Sequence, residues 1–330
     1  MAGIEQIKMS KSTSVIKSDD GKDIFQAYIM ENETGEGAVS SCEMMDGVYV
    51  MYGDFNMESI GSEMEHSAKL FCLDYCYEGK LEWHLSDGLY FYQQAHDLYM
   101  DDRRHTNGSC FFPLRHYHSI TVLFFLPNAQ ASLERHFDGF PVQISQLKKG
   151  FTDISYPYLI RNNPDLNRIF SDIKNAGEKN KQTYIKMKII ELLLYLDSIS
   201  DLKIEAKNEY FYKSHVSKIK QIHELLTNDL EHHYTIEKLS QRFEMPISSM
   251  TSCFKGVYGN TVYAYTRGYR MEYAAKMLLQ TDMSVVNIAL AVGYANPSKF
   301  SAAFKQEIGL TPNEYKKRKA VPHIGVYHAE

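Results

Sequence analysis

The 330-residue sequence has no run approaching the roughly 18 consecutive apolar residues of a membrane-spanning helix. Its opening residues also lack the basic-then-apolar order of a secretory leader. The expectation is a cytoplasmic chain with no membrane partner. Cysteine is scarce: Cys42, Cys72, Cys76, Cys110 and Cys253 are odd in number and scattered, which excludes a disulfide framework and favours reduced thiols. Cys72 and Cys76 would share one face of a strand but lie too far apart along it for a close disulfide. Positive charge is short in the first 212 residues, with 21 Lys and Arg against 31 Asp and Glu. From Lys213 onward the balance reverses, to 15 against 10. A basic C-terminal module on an acidic body fits nucleic-acid binding by the module, although ordinary surface scatter gives a similar excess.

What the sequence does contain is a repeat. Thr235–Gly259 (TIEKLSQRFEMPISSMTSCFKGVYG) and Ser284–Gly309 (SVVNIALAVGYANPSKFSAAFKQEIG) each read as a helix-turn-helix unit. Ile236/Val285 and Leu239/Ile288 superpose at an offset of 49 residues; Met250/Phe300, Phe254/Phe304, Lys255/Lys305 and Gly259/Gly309 do so at 50. One turn is therefore a residue longer than the other. Agreement of apolar positions and closing glycine marks a duplicated architecture.

The flanking pattern is almost continuously helical. Ile219, Ile222, Leu225, Leu226 and Leu230 form the stripe of an entry helix, and Thr235 caps the next. Pro246 reads as the first helical position of the first recognition helix. A long connecting helix follows Asn260-Thr261, with Val262, Tyr265, Tyr269, Tyr273, Ala274, Met277 and Leu278 inward. Ser284 caps the second unit, Gly293 makes its turn at positive φ, and Asn296-Pro297 starts its recognition helix. Thr311-Pro312-Asn313-Glu314 reads as a capping box, leading into a basic Lys316–Lys319 end.

The positions left outside define the candidate DNA-contacting set: Thr235, Ile247, Ser248, Ser249, Thr251, Ser252 and Lys255 in the first unit, and Ser284, Ser298, Lys299, Ser301, Ala302 and Lys305 in the second. Arg267, Arg270 and Lys276 on the connecting helix suit either phosphate contact or ion pairs holding the two units together.

The segment resembles the C-terminal domain of the AraC/XylS family of bacterial transcription regulators. The resemblance is carried by Phe254-Lys255, Gly259, Arg270, Ala274, Leu278-Leu279, Ile288-Ala289, Val292-Gly293-Tyr294, Phe300, Phe304-Lys305, Gly309, Thr311-Pro312 and Tyr315. It implies a regulator, with activation the expected sign, that binds promoter DNA, answers to a small-molecule effector and works with RNA polymerase. Pro246 stands where the family usually has a capping serine, Thr251-Ser252 where a polar residue and an arginine are common, and Ala302 where an arginine is common.

Before this module, residues 1–45 read as a polar segment, 46–141 as short antiparallel strands of a cupin-like barrel or jelly roll, and 142–200 as a helical dimerisation element. Glu78-Gly79-Lys80 reads as a hairpin turn and Asp87-Gly88 as another. The helix around Tyr184, Met187, Ile190, Leu193, Leu194 and Leu196 is apolar around more than half its girth, as a homodimer interface or a central core helix would be. Residues 201–216 read as a linker, 217–319 as the double helix-turn-helix domain and 320–330 as a tail. The fold class is therefore α+β. The segments PDLNRIFSDIKNAGEKN (residues 164–180) and YIKMKIIELLLYL (residues 184–196) also weakly resemble the siderophore-sensing branch of the family.

Three features point to N-terminal chemistry. Tyr75, Tyr77, Trp83, Tyr90 and Tyr92, with Phe91, could line an effector pocket or fill a barrel core. His116 and His118 share a strand face, as a metal pair would, but without further cupin ligands. The Cys72/Cys76 pair suits a redox sensor less well than buried packing. No cofactor and no catalysis are expected. The competing readings are a metal-dependent cupin enzyme fused to a DNA-binding module, and a nucleoid or ligand-storage protein with incidental DNA affinity.

Overall fold

A computed structural model describes residues 13–14, 25–61, 69–85, 87–102, 109–152, 158–200 and 209–317. The chain divides into two units, at Met1–Tyr210 and Phe211–Glu330.

The first unit is built on antiparallel strands: β1 (Thr13–Ser14), β2 (Gln26–Asn32), β3 (Gly35–Met45), β4 (Val48–Asn56), β5 (Ser59–Gly61), β6 (Leu70–His84), β7 (Leu89–Gln94), β8 (Asp97–Asp101), β9 (Ser109–Phe111), β10 (Tyr117–Phe125) and β11 (Tyr158–Arg161). One ladder runs β1-β2-β3-β4-β10-β6-β8-β11. A second joins β5 to β9, and both β9 and β7 to the far half of β6. The helices are α1 (Leu126–His136), α2 (Ile144–Thr152), α3 (Pro164–Lys174) and α4 (Lys181–Ser200).

β6 belongs to both ladders because it is one long strand rather than a hairpin. The expected turn at Glu78-Gly79-Lys80 is instead a bulge: Tyr117 faces Gly79 and His118 faces Glu78, but Ser119 faces Cys76, leaving Tyr77 as the extra residue. Gly79 sits at φ 87°, and a Cβ there would lie 2.2 Å from the carbonyl oxygen of His116. The glycine thus permits a bend and a close backbone approach within a strand. The Asp87-Gly88 turn is present, with Leu85 N–H donating to Leu89 C=O at 2.8 Å and Gly88 at φ 80°.

Burial explains why β6 has no wet face. Phe71, Leu73 and Tyr75 join a large core with Val48, Val50, Ile120, Val122 and Phe124 and the inner faces of α1–α4. On the other side Cys76, Leu81 and Trp83 pack with Phe91, Tyr99, Phe112 and Tyr117 in a second core. Buried Asp74 accepts from Tyr117 Oη at 2.8 Å and from Thr121 Oγ1 at 2.9 Å, so its burial is offset by hydrogen bonds.

Other expectations for this unit need correction. The 1–45 segment is not simply a polar loop: β2 and β3 lie within it, because Tyr28/Val39 and Met30/Gly37 pair in a ladder. Helix begins at Leu126, not near 142, since Pro127 occupies the first turn of α1 and Ala129 and Leu133 bury at helical spacing. The stretch read as wholly helical also contributes a strand, β11, which pairs Leu159 with Tyr99 and Ile160 with Leu98.

In α4, Ile185, Ile189, Leu192, Leu193, Leu196 and Ile199 are buried. Tyr184, Met187 and Leu194 remain exposed, so the helix carries apolar residues outside the core as well as inside it.

Beyond the two-residue strand β12 (Phe211–Tyr212), the second unit is helical: α5 (Lys213–Asn228), α6 (Ile236–Arg242), α7 (Ile247–Tyr258), α8 (Val262–Gln280), α9 (Val285–Ala291), α10 (Pro297–Ile308) and α11 (Pro312–Lys317). α5 begins inside the stretch read as linker; residues 201–208 of that stretch, and Arg318, Lys319 and the tail, lie outside the described residues.

Candidate nucleic-acid interface

In each half of the second unit, a short helix is followed by a tight turn and a twelve-residue helix closed by glycine. α6 is capped by Thr235 Oγ1, which accepts from Lys238 N–H at 3.3 Å; Ser284 Oγ caps α9 by accepting from Asn287 N–H at 3.1 Å. Both helices end in the same way. Met245 N–H donates to Ser240 C=O at 3.1 Å, and Tyr294 N–H donates to Ala289 C=O at 2.8 Å. The residue before each donor is left-handed: Glu244 at φ 47° and Gly293 at φ 82°. The turns are thus equivalent through Met245 and Tyr294. Ala295 is the additional residue, which accounts for the offset changing from 49 to 50.

The long helices then start differently. Asn296 Oδ1 accepts from Ser298 N–H at 2.9 Å and Lys299 N–H at 3.1 Å, so α10 has a side-chain cap with Pro297 behind it. Pro246 is the N-cap of α7, not its first helical residue, at ψ 138° and with no side-chain cap bond. Gly259 and Gly309 close the two helices at φ 79° and 84°. The expected capping box is present at α11, where Thr311 N–H donates to Glu314 Oε2 at 2.8 Å and Glu314 N–H returns to Thr311 Oγ1 at 3.3 Å.

Packing separates an inner from an outer face on each long helix. Met250, Cys253, Phe254, Val257 and Tyr258 of α7 are buried, as are Phe300 and Phe304 of α10. On α7, Ile247, Ser248, Thr251, Ser252 and Lys255 are exposed and Ser249 is half-buried. On α10, Ser298, Lys299, Ala302 and Lys305 are exposed and Ser301 is half-buried. The caps Thr235 and Ser284 are also exposed. Thr251 Oγ1 donates back to Ile247 C=O at 2.9 Å, which uses its proton within the helix.

The connecting helix resolves the two alternatives left open for its cations. Arg270 is 5% exposed and faces inward, so it is not available to a phosphate. Its Nη2 donates to His232 C=O at 2.7 Å and its Nη1 lies 3.0 Å from His233 Nδ1. An arginine only donates, so Nδ1 accepts and the other ring nitrogen, Nε2, donates to Gly293 C=O at 2.7 Å. The α5–α6 loop, α8 and the second turn are thereby tied through one guanidinium and one imidazole. Burial lowers the Arg270 pKa from its ordinary value. Arg267 Nη2 pairs with Glu307 Oε1 at 2.5 Å, joining α8 to α10. Only Lys276 of the three is exposed. Tyr273, expected inward, is 44% exposed. The sequence pattern missed His233 altogether, because an exposed loop histidine has no periodic signature.

The N-terminal candidates do not assemble into one site. Tyr75 stacks on Phe170 at 4.3 Å in the helix-side core, while Trp83 stacks among Phe91 and Tyr99 in the second core. Tyr77 and Tyr90 are half-buried, and Tyr92 Oη donates to Glu82 at 2.7 Å. Tyr75 and Tyr77 thus side with one core, and Trp83 and Phe91 with the other. His118 Nδ1 lies 3.1 Å from Asp54, and His116 Nδ1 lies 3.0 Å from Leu114 O. Among the described residues, no group of three or more His, Cys, Asp and Glu side chains is arranged to hold a metal ion. Cys72 and Cys76 are both buried.

Two tandem helix-turn-helix units with outward long helices define a helix-turn-helix protein. Residues 239–318 match the family model described as a helix-turn-helix domain. The chain is 39% identical over 87 residues to the RCS-specific HTH-type transcriptional activator RclR of Escherichia coli (strain K12), covering 26% of this chain and 31% of that protein. It is 32% identical over 94 residues to the HTH-type transcriptional regulator ExsA of Pseudomonas aeruginosa, covering 27% and 34% respectively. A putative AraC-like transcription regulator of Streptomyces lividans is 30% identical over 97 residues, covering 29% of this chain and 32% of that one. The C-terminal domain of AraT, a response regulator from Geobacillus stearothermophilus, aligns at 24% identity and a TM-score of 0.31 over 34% of this chain and 94% of that one. The chain thus spans about a third of the length of these curated relatives. Residues 239–318 are an AraC/XylS-type helix-turn-helix domain.

Proposed function

We propose that the chain is a sequence-specific transcription regulator, acting as an activator, that binds promoter DNA through α7 and α10. The observation that carries this reading is the pair of equivalent units, each presenting on its long helix a set of outer candidate positions (Ile247 to Lys255 and Ser298 to Lys305) that holds no acidic residue. The family match and the names of the relatives support it. Two recognition helices joined by a rigid helix suit successive major-groove segments on one face of the duplex, about 34 Å apart. The α7 face, with Ile247, Ser248, Thr251 and Ser252, is suited to base edges. The α10 face, with Lys299 and Lys305 around Ala302, is suited to phosphates.

In this reading the first unit is a cupin-like effector domain, and binding of a small molecule there controls the DNA-binding unit in the cytoplasm. The exposed stripe Tyr184, Met187 and Leu194 on α4 favours a homodimer, because it leaves apolar surface beyond the unit's own core. RNA polymerase is the partner such a regulator needs. The weak resemblance to siderophore sensors places iron–siderophore complexes among the effector chemistries to screen. No residue is assigned to catalysis.

Selection from a random duplex library, followed by footprinting of the full chain, tests the reading. The expected result is one protected site of about two helical turns per monomer, bound orders of magnitude more tightly than bulk DNA at physiological salt. Equal binding to all duplexes would remove the regulator reading in favour of incidental DNA affinity.

A further inference from the structure

The outer face of α7 has an unusual composition for a helix that reads bases. From Ile247 to Tyr258 it contains no Asn, Gln, Arg, Asp or Glu, so apart from Lys255 it has none of the side chains that form paired hydrogen bonds with a purine edge or accept from cytosine. Its one charge, Lys255, lies in the last turn. What it exposes at its start is apolar. Ile247 is 42% exposed, and among the described residues it is the only large hydrophobic side chain exposed on either α7 or α10. Thr251 follows four residues later, on the same edge of the helix.

Thr251 adds to this surface, not to the hydrogen-bonding one. Its hydroxyl donates to Ile247 C=O at 2.9 Å and is 3.0 Å from Ser248 C=O. With that proton committed to the backbone, the side chain offers its methyl group and the oxygen's lone pairs. Ile247 and Thr251 therefore form a small methyl-rich step, bordered by the hydroxyls of Ser248 and Ser252. Only one base presents a methyl group in the major groove, and that is thymine at C5.

We infer that Ile247 and Thr251 are specificity-determining residues that read thymine through its C5-methyl group, making the half-site under the first helix-turn-helix thymine-dependent. The inference rests on the DNA-binding reading above and deepens it. It also accounts for an exposed isoleucine on an otherwise polar face: the side chain is covered when DNA is bound. The energetic scale is that of burying a methyl group, about a fourfold change in affinity for each one removed.

The test uses the full chain and a duplex enriched from a random library amplified with thymidine. That duplex is resynthesised with deoxyuridine replacing one thymidine at a time, which deletes the C5-methyl and keeps the Watson–Crick pairing. Binding is measured for wild type, Ile247→Ala, Thr251→Ser and Lys299→Ala. We expect one or two positions at which uracil weakens wild-type binding about fourfold. At those positions Ile247→Ala or Thr251→Ser should bind the thymine and uracil duplexes equally. Lys299→Ala should weaken both duplexes alike and keep the difference. Since Ile247 and Thr251 are exposed, unchanged helical circular dichroism separates lost contact from lost fold. Equal wild-type binding to thymine and uracil at every position would overturn the inference while leaving DNA binding intact. So would a thymine preference that survives in both α7 variants, which would assign it to duplex shape. If no sequence is enriched at all, the DNA-binding reading fails and the inference with it.

Discussion

The two helix-turn-helix units share one backbone plan but solve the same local problems with different residues. At the turn, the second unit uses Gly293 and the first uses Glu244, both left-handed. The difference is explained by what lies next to each. A Cβ at Gly293 would sit 2.6 Å from Leu230 O and 3.0 Å from Glu231 O, because the α5–α6 loop packs against that turn. The first turn instead has Lys218 Nζ donating to Glu244 C=O at 3.0 Å from an exposed position. Glycine is therefore demanded at 293 by close approach as well as by φ, whereas at 244 only the backbone preference is strained. The long helices repeat the contrast: Asn296 caps α10, and Pro246 leaves α7 without a side-chain acceptor. Structural constraint is concentrated in the second unit, and chemically distinctive surface in the first.

The largest effect should come from Gly293→Ala. Left-handed strain together with the clash against Leu230 O is expected to cost about 3 kcal/mol, read from urea unfolding of the helical signal. The sole tryptophan, Trp83, is in the N-terminal Met1–Tyr210 part of the chain, so its fluorescence transition should stay in place. Glu244→Ala is the matched substitution in the first unit and should change stability by less than about 0.5 kcal/mol, since both residues bear the same φ penalty. Equal losses would erase the comparison.

Arg270→Met should follow, at about 2 kcal/mol, because it leaves His232 C=O and His233 without their donor in a packed joint. Sequence-specific binding should fall further than stability accounts for, as the joint fixes one unit against the other. Retained affinity with unchanged site size would mean that the tie does not position the recognition helices.

Ala302→Arg sharpens the contrast between the faces. It adds a cation to the exposed outer side of α10 and should strengthen binding roughly fivefold or alter preference at one base position. No change in either would remove position 302 from the interface. The smallest effects concern the caps. Asn296→Ala should destabilise the second unit by about 1 kcal/mol, and Pro246→Ser should stabilise the first by up to a similar amount by supplying the missing acceptor. A loss on Pro246→Ser would show that proline's fixed φ matters more there than a cap.

Much of the second unit was legible because its signals are local. Thr235, Thr261, Ser284 and Asn296 are caps, Gly259 and Gly309 are closing glycines, and the Phe254/Phe304 period places the core. Glu244 was not legible as a left-handed residue, since its conformation is imposed by the tight turn and not by its own preference. Arg270 could be narrowed only to two roles, because burial of a charge depends on distant partners such as His233. In the first unit the errors are of the same kind. Gly79 carries the sequence signature of a turn, yet pairing with β10 keeps the strand running through it. Phe71, Tyr75 and Tyr77 alternate along β6 as in an amphipathic strand, but the strand is covered on both sides: these rings meet one core, and Trp83, beyond the bulge, meets the other.

The division of labour between the two units is tested most directly by one titration series. The enriched duplex and a scrambled duplex are titrated at several salt concentrations with wild type, an α7 variant (Ile247→Ala, Ser248→Ala and Thr251→Ala) and an α10 variant (Lys299→Ala and Lys305→Ala). The α7 variant should lose the preference for the enriched duplex while keeping the salt slope. The α10 variant should weaken on both duplexes and lose about two units of slope, one for each phosphate contact removed. Loss of sequence preference with the α10 variant, and loss of slope with the α7 variant, would contradict the account.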